Sequence, residues 1–209
     1  MKNLLQIQAS MFEAGGQSSR LAAEFVDAWR ARTGGTVVVR DIGREPVPHL
    51  TAERFQALLA KPEERTPSQQ AVAGFSDTLI AELRRADVIV LGLPLYNFGV
   101  PSTLKAYFDH IARSGVTFRY TEKGPEGLLT GKKAYVLAAR GGLYQGTPLD
   151  TQTPYVRDFL RFVGIADVEF VYAEGLAMGD AARDRSLAQA RAAIAAIAAG
   201  EAAPIAVAA

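Results

Sequence analysis

The stretch from Asp87 to Tyr96, DVIVLGLPLY, constrains the fold more than any other. It is the most apolar strand-like run in the chain and lacks the apolar–polar alternation of a half-exposed strand. It therefore belongs at the centre of a sheet covered on both faces. The covering layers are also visible. The runs NLLQIQ, TVVVRD, KKAYVLAARGG and DVEFVYAEG have strand composition, and helical segments alternate with them. In the first helix Leu21, Phe25, Val26 and Trp29 recur at helical spacing. SQQAVAGFSDTLIAELRRA, a helix from Pro101 to Arg113, PYVRDFLRFVG and the Ala-rich AARDRSLAQARAAIAAIAA supply the others. Strands alternating with helices make a parallel sheet, because parallel neighbours need a right-handed crossover. The β-branched TVVVRD is likewise expected to be covered on both faces.

The 209 residues suit one domain. Residues 44–75 contain Pro46, Pro48, Pro62 and Pro67 around the short helical TAERFQALLAK and read as an excursion over the domain, a candidate lid. GVTFRYTEKGPEGLLTG reads as a hairpin-like loop, and residues 200–209 as a loose tail. The net charge of +1 gives no field that would draw nucleic acid or a membrane surface. The absence of cysteine excludes disulfides and thiol chemistry. His49 and His110 stand apart and no acidic cluster has ligand spacing, so no metal is expected. His110 reads as a helix-surface or dimer-contact residue and Asp109 as a solvated carboxylate. With no span of membrane length and no leader-like start, a cytoplasmic location is expected.

In such a sheet, ligands bind beyond the carboxyl ends of the strands, where the strand order reverses. Three loops qualify. SMFEAGGQSSR places Ser10, Gln17, Ser18 and Ser19 before a helix N-terminus, where free N–H groups and the helix dipole favour an anion. An ordinary Ser N-cap would use the same residues. PLYNFGVP offers Tyr96 and Phe98 for packing on a flat ring and Asn97 for its polar edge; core plugging is the alternative. ARGGLY follows the fourth strand, and Gly141 and Gly142 there let backbone N–H groups approach a ligand, although a plain turn has the same composition. Together the loops describe a site for a phosphate joined to a flat polar ring, with FMN the obvious candidate.

Residues 94–142, PLYNFGVPSTLKAYFDHIARSGVTFRYTEKGPEGLLTGKKAYVLAARGG, resemble the signature region of the bacterial FMN-dependent NAD(P)H azoreductases, members of the flavodoxin-like quinone reductase group. The resemblance runs more weakly along the whole chain. It implies an α/β fold of the flavodoxin-like type, a three-layer sandwich with sheet order 2-1-3-4-5. It also implies a homodimer with FMN at the interface, where NADH or NADPH reduces the flavin and a quinone or azo compound reoxidises it by a ping-pong route. Phosphate contacts would fall on Ser10, Gln17 and Ser18. Ring contacts would fall on Pro94, Leu95, Tyr96, Asn97 and Phe98, with Ala139, Arg140, Gly141, Gly142 and Tyr144 at the far edge. Tyr120 and Phe162 would come from the second subunit as acceptor-pocket walls. Apart from the resemblance, Phe55 and Leu59 on the excursion suit a mobile lid or, equally, an amphipathic helix packed on its own domain. The chain departs from the family at Gly16, where a serine is common, and at Leu95, Ala139 and Tyr144, where Met, Ser and His are frequent. A flavodoxin-like electron carrier and a flavin-free interaction module are the alternatives.

Overall fold

The structure, a computed structural model, describes residues 2–200. Its elements follow as β1 (Asn3–Gln8), α1 (Gln17–Thr33), β2 (Thr36–Asp41), α2 (Ala52–Leu59), α3 (Pro67–Arg85), β3 (Val88–Pro94) and α4 (Ser102–Ile111). After these come β4 (Phe118–Thr121), β5 (Gly124–Gly127), β6 (Lys133–Ala139), α5 (Gln152–Phe162), β7 (Asp167–Ala173) and α6 (Asp180–Ala199). Five strands form a parallel sheet in the order β2-β1-β3-β6-β7. This is the 2-1-3-4-5 layout, with β6 and β7 as the fourth and fifth strands. The antiparallel pair β4–β5 forms the expected hairpin outside the sheet. The tail from residue 201 onward lies outside the described residues.

All of β3 is buried, as its composition requires. On one face Leu4, Val90 and Leu137 meet Phe25 and Trp29 of α1 and Ile194 of α6. On the other, Leu5, Ile89, Leu91 and Val136 meet Leu79 and Leu83 of α3, Leu104 and Phe108 of α4 and Val156 of α5. The helices begin and stop where local chemistry dictates. Thr66 and Gln69 form a reciprocal capping box ahead of Pro67, and Gly34 ends α1 in the left-handed region at φ 62°.

Two expectations are corrected. β2 is an edge strand, and Val38 and Val39 on it are half exposed. A β-branched run favours extended backbone but does not fix the strand's place in the sheet. His110 does not face solvent: it is fully buried, its Nδ1 3.1 Å from the Ala106 carbonyl and its ring edge-on to Phe75 at 5.8 Å. The cause is the apolar breadth of α4, which buries Leu104, Ala106, Tyr107, Phe108 and Ile111 between α3 and the sheet, so position 110 falls inside the stripe.

Burial, with Arg54 adding to it, holds His110 below the ordinary imidazole value, partly offset by the Ala106 carbonyl and Asp109. Its folded value lies below its unfolded one, so the unfolded chain binds the extra proton and stability falls as pH drops below about 6.5. In urea titrations at pH 7 and pH 5 we expect His110→Gln to lose on the order of 1 kcal/mol less on acidification than the unaltered chain. Equal losses would contradict a buried neutral imidazole.

Candidate active site

The order reverses between β1 and β3, and the connections after β1, β3 and β6 meet at the carboxyl end there. The first runs into α1, whose N-cap is Gly16 with no side-chain cap. The first intrahelical bond runs from Arg20 N to Gly16 O, at 3.0 Å, so the amides of Gln17, Ser18 and Ser19 have no partner within the helix. Ser18 and Ser19 are inside the helix rather than capping it. Both are buried, and their hydroxyls have no hydrogen-bond partner among the described residues. Two orphaned hydroxyls beside free helix amides are costly unless something accepts from them. Gly16 is matched to this arrangement, since a Cβ there would come within 2.2 Å of Ser10 Oγ.

Ser10 connects this loop to the second. Its Oγ accepts from Phe12 N and lies 3.2 Å from the Tyr96 hydroxyl, which also accepts from Met11 N at 3.3 Å. Tyr96 and Gly99 exchange backbone hydrogen bonds around Asn97 and Phe98, at φ 49° and 61°. Two successive left-handed residues make a type I′ turn. Asn tolerates this region, but for Phe it is strained, on the order of 1–3 kcal/mol, and such strain concentrates at functional sites. The turn is held from outside: Thr151 donates to Phe98 O, and Gln152 Nε2 donates to Pro94 O at 2.8 Å and Gly99 O at 3.3 Å. The amides of Asn97 and Phe98 remain free of protein partners among the described residues.

The third loop is fixed by its carbonyls. Gly141 O accepts from Ala177 N and Gly142 O from Gly175 N, while the Gly141 and Gly142 amides have no partner among the described residues. A side chain at Gly142 would run into the Tyr144 ring, 2.9 Å from the Cβ position. Tyr144 in turn stands edge-on to Phe98, with centroids 5.8 Å apart. Leu95 N donates to Ala139 O, which joins the bases of the second and third loops.

Arg140 is spent differently from its neighbours. Its side chain is fully buried, pairing with Asp150 at 2.9 Å and Glu174 at 3.0 Å and donating to Thr153 at 2.9 Å. Burial opposes charge on Asp150, but hydrogen bonds from Arg140 and Thr153 hold it below the ordinary carboxylate range. Sequence reasoning missed Glu174, Asp150, Thr151 and Gln152. It also missed Met11 and Phe12, whose exposed apolar side chains stand beside the loops with those of Phe98 and Leu143. Next to Phe98 a cleft of about 490 Å³ opens between His49, Lys105, Gln152 and Tyr155.

Ser10, Gln17, Ser18, residues 94–98 and residues 139–144 thus converge on one end of the sheet. Tyr120 and Phe162 do not join them. α5 descends from the carboxyl end, and Phe162 at its foot packs on Phe118 of the hairpin at 4.4 Å, with exposed Tyr120 edge-on to the same ring at 5.5 Å. Phe55 is exposed on α2, in the connection after β2. Among the described residues no His, Asp or Glu group has metal-ligand geometry, and no helix is long and apolar enough to cross a membrane.

Known proteins share the strand layout. Residues 2–198 match a family model described as a flavodoxin-like fold. An FMN-dependent NADH:quinone oxidoreductase of Cellvibrio japonicus is 59% identical over 192 residues, 91% of this chain and 96% of its own. Among solved structures, an azoreductase from Bacillus anthracis superposes with a TM-score of 0.87 at 27% identity, over 95% of this chain and 99% of that one. An FMN-dependent NADH-azoreductase from the same species, solved with FMN, gives 0.83 at 26% identity, over 95% of this chain and all of its own. Strand order and these likenesses agree: the chain belongs to the flavodoxin-like family.

Proposed function

We propose that the chain is an FMN-dependent NADH:quinone oxidoreductase that also reduces aromatic azo compounds. The observation that carries this reading is the pair of buried, partnerless hydroxyls of Ser18 and Ser19 at the open N-terminus of α1. They share one end of the sheet with the free amides of Asn97, Phe98, Gly141 and Gly142. An anion seat and a set of edge donors on a single surface fit a flavin phosphate and its ring.

When bound, FMN would supply the hydride chemistry that links NADH to a quinone or azo acceptor. The protein's share is binding and electrostatics. Ser10, Gln17, Ser18 and the first amides of α1 hold the phosphate. Pro94, Leu95, Tyr96, Asn97 and Phe98 form the bed and edge of the ring. The Gly141 and Gly142 N–H groups would face the ring edge and favour negative charge there, with Ala139 and Tyr144 closing it. No side chain is required as an acid or base, because protons reach an exposed acceptor from water.

The acceptor pocket is completed by a second copy of the chain. Tyr120 and Phe162 form an aromatic surface on the hairpin and the foot of α5, away from the chain's own loops. This supports a homodimer in which each subunit overhangs its partner's flavin. The segment bearing Phe55 serves as a lid, with the enzyme working in the cytoplasm. NADH rather than NADPH is the proposed donor, following the names of the relatives.

The reading is tested by supplying FMN to purified protein and following NADH oxidation with menadione. FMN-dependent turnover is expected, with Tyr120→Ala raising the KM for the quinone severalfold while the chain stays folded. No turnover after FMN addition would remove the enzyme.

A further inference from the structure

We infer that the buried cluster of Arg140, Asp150 and Glu174 positions the loop at the flavin's far edge, and that its excess negative charge lowers the reduction potential of the bound cofactor. The inference deepens the FMN reading and rests on it.

The positioning half follows from where the hydrogen bonds go. Glu174 Oε1 accepts from Arg140 Nη1, Tyr144 N and Gln145 N, each at 3.0 Å. Arg140 N donates to Ala173 O at 2.8 Å, and Leu176 N donates to Arg140 O at 3.1 Å. Residues 140–145 are therefore clamped to the segment after β7 through their carbonyls and through the amides of Tyr144 and Gln145. The N–H groups of Gly141, Gly142 and Leu143 are left without a partner among the described residues. Asp150 ties the same guanidinium to the start of α5, where it also accepts from Thr153 N at 3.0 Å. The next residues of that segment, Thr151 and Gln152, hold the Asn97–Phe98 turn. One buried cation thus fixes both edges of the ring's bed.

The electrostatic half follows from counting charges. A single guanidinium, fully buried, faces two carboxylates whose side chains are only 8% and 11% exposed. One positive charge against two negative leaves a net charge of −1 in a place water barely screens. The Tyr172 ring, 5.0 Å from the Arg140 guanidinium carbon, covers the cluster on one side. Arg157 lies over Phe170 on the exposed side of α5, where solvent screens it. The tie engages both carboxylates, Glu174 holding the loop after β6 and Asp150 the start of α5. Their two charges make the cluster anionic behind the amides that meet the reduced ring, and an anion there disfavours the electron-rich form. The reduced enzyme becomes a stronger donor toward electron-poor acceptors.

Glu174→Gln and Asp150→Asn each remove one negative charge and keep the side chain's size, and only the first touches the loop amides. Both should raise the potential of bound FMN, measured by spectroelectrochemical titration, by about 30 mV for a two-electron couple, which corresponds to about tenfold tighter relative binding of the reduced form. In the apoproteins, hydrogen exchange at Tyr144 and Gln145 should quicken in Glu174→Gln and remain unchanged in Asp150→Asn. Unaltered potentials in both variants, beside an unaltered chain that holds FMN, would overturn this inference and leave the function standing. Faster exchange with no change of potential in either variant would reduce the cluster to a structural tie and equally overturn it. An unaltered chain that takes up no FMN would bring down the function and this inference together.

Discussion

Arg140→Met should unfold more readily than any substitution on the protein's surface, losing about 3–5 kcal/mol at neutral pH. The guanidinium is fully buried, and its removal strands two carboxylates that have almost no access to water. Methionine fills the stem's volume but pairs with neither. For a domain of this size the loss corresponds to a fall in Tm of roughly 10 °C. The sign of its pH dependence is fixed. In the unaltered chain Asp150 lies below its ordinary value, so its contribution is present above that value and is lost as pH falls through the folded one. In the variant the unpaired carboxylates are pushed upward and take up protons readily. The gap between the two proteins should therefore narrow from pH 7 toward pH 5. Thermal melts at both values check this, and a gap that widens on acidification would contradict the buried cluster.

Ser18→Asp should abolish FMN uptake even at temperatures where the variant stays folded. Position 18 lies in the first turn of α1, beside amides that lack partners within the helix and at the positive end of the helix dipole, which offset part of the cost of burying a carboxylate there. It would satisfy the amides that the phosphate is proposed to satisfy, and its charge would repel that phosphate. Like charges brought together in an enclosed site cost several kcal/mol, which makes the expected loss of affinity on the order of 100-fold or more. Because the side chain is buried, Tm should fall somewhat, the helix amides offsetting only part of the cost of enclosing a carboxylate. Fluorescence titration of FMN with Ser18→Asp and Ser18→Ala separates charge from contact, the alanine variant weakening binding only modestly. Undiminished binding by Ser18→Asp would place the phosphate elsewhere.

How much of this was legible in the sequence depended on whether the cause was local. β3 announces itself because uniform apolarity has one structural solution, and the alternation of elements then fixes the parallel sheet. The loops after β1, β3 and β6 are legible because a strand's end and the next helix's start are written in adjacent residues. β2 was misjudged because Val37, Val38 and Val39 specify extended backbone, whereas a place at the sheet's edge is decided by strands remote in sequence. His110 was misjudged because an imidazole counts as polar in a helical pattern, although its Nδ1 can be satisfied by the Ala106 carbonyl one turn back. The supports of the site were beyond reach. Gln152 reaches Pro94 across 58 residues and Glu174 reaches Arg140 across 34, and nothing near either residue in sequence signals its partner. The left-handed turn at Asn97 and Phe98 was half visible: Asn suggests it, while Phe argues against it and adopts it only because Thr151 and Gln152 hold the backbone.

The account depends on FMN lying across the ends of β1, β3 and β6, with its phosphate at α1 and its ring edges on main-chain amides. Amide chemical-shift mapping during titration of the apoprotein with FMN tests that placement most directly. The largest shifts should fall on Ser18, Ser19, Asn97, Phe98, Gly141 and Gly142, with Val38 and Val39 on the far edge of the sheet unmoved. Shifts confined to other surfaces, or none at saturating FMN, would contradict it.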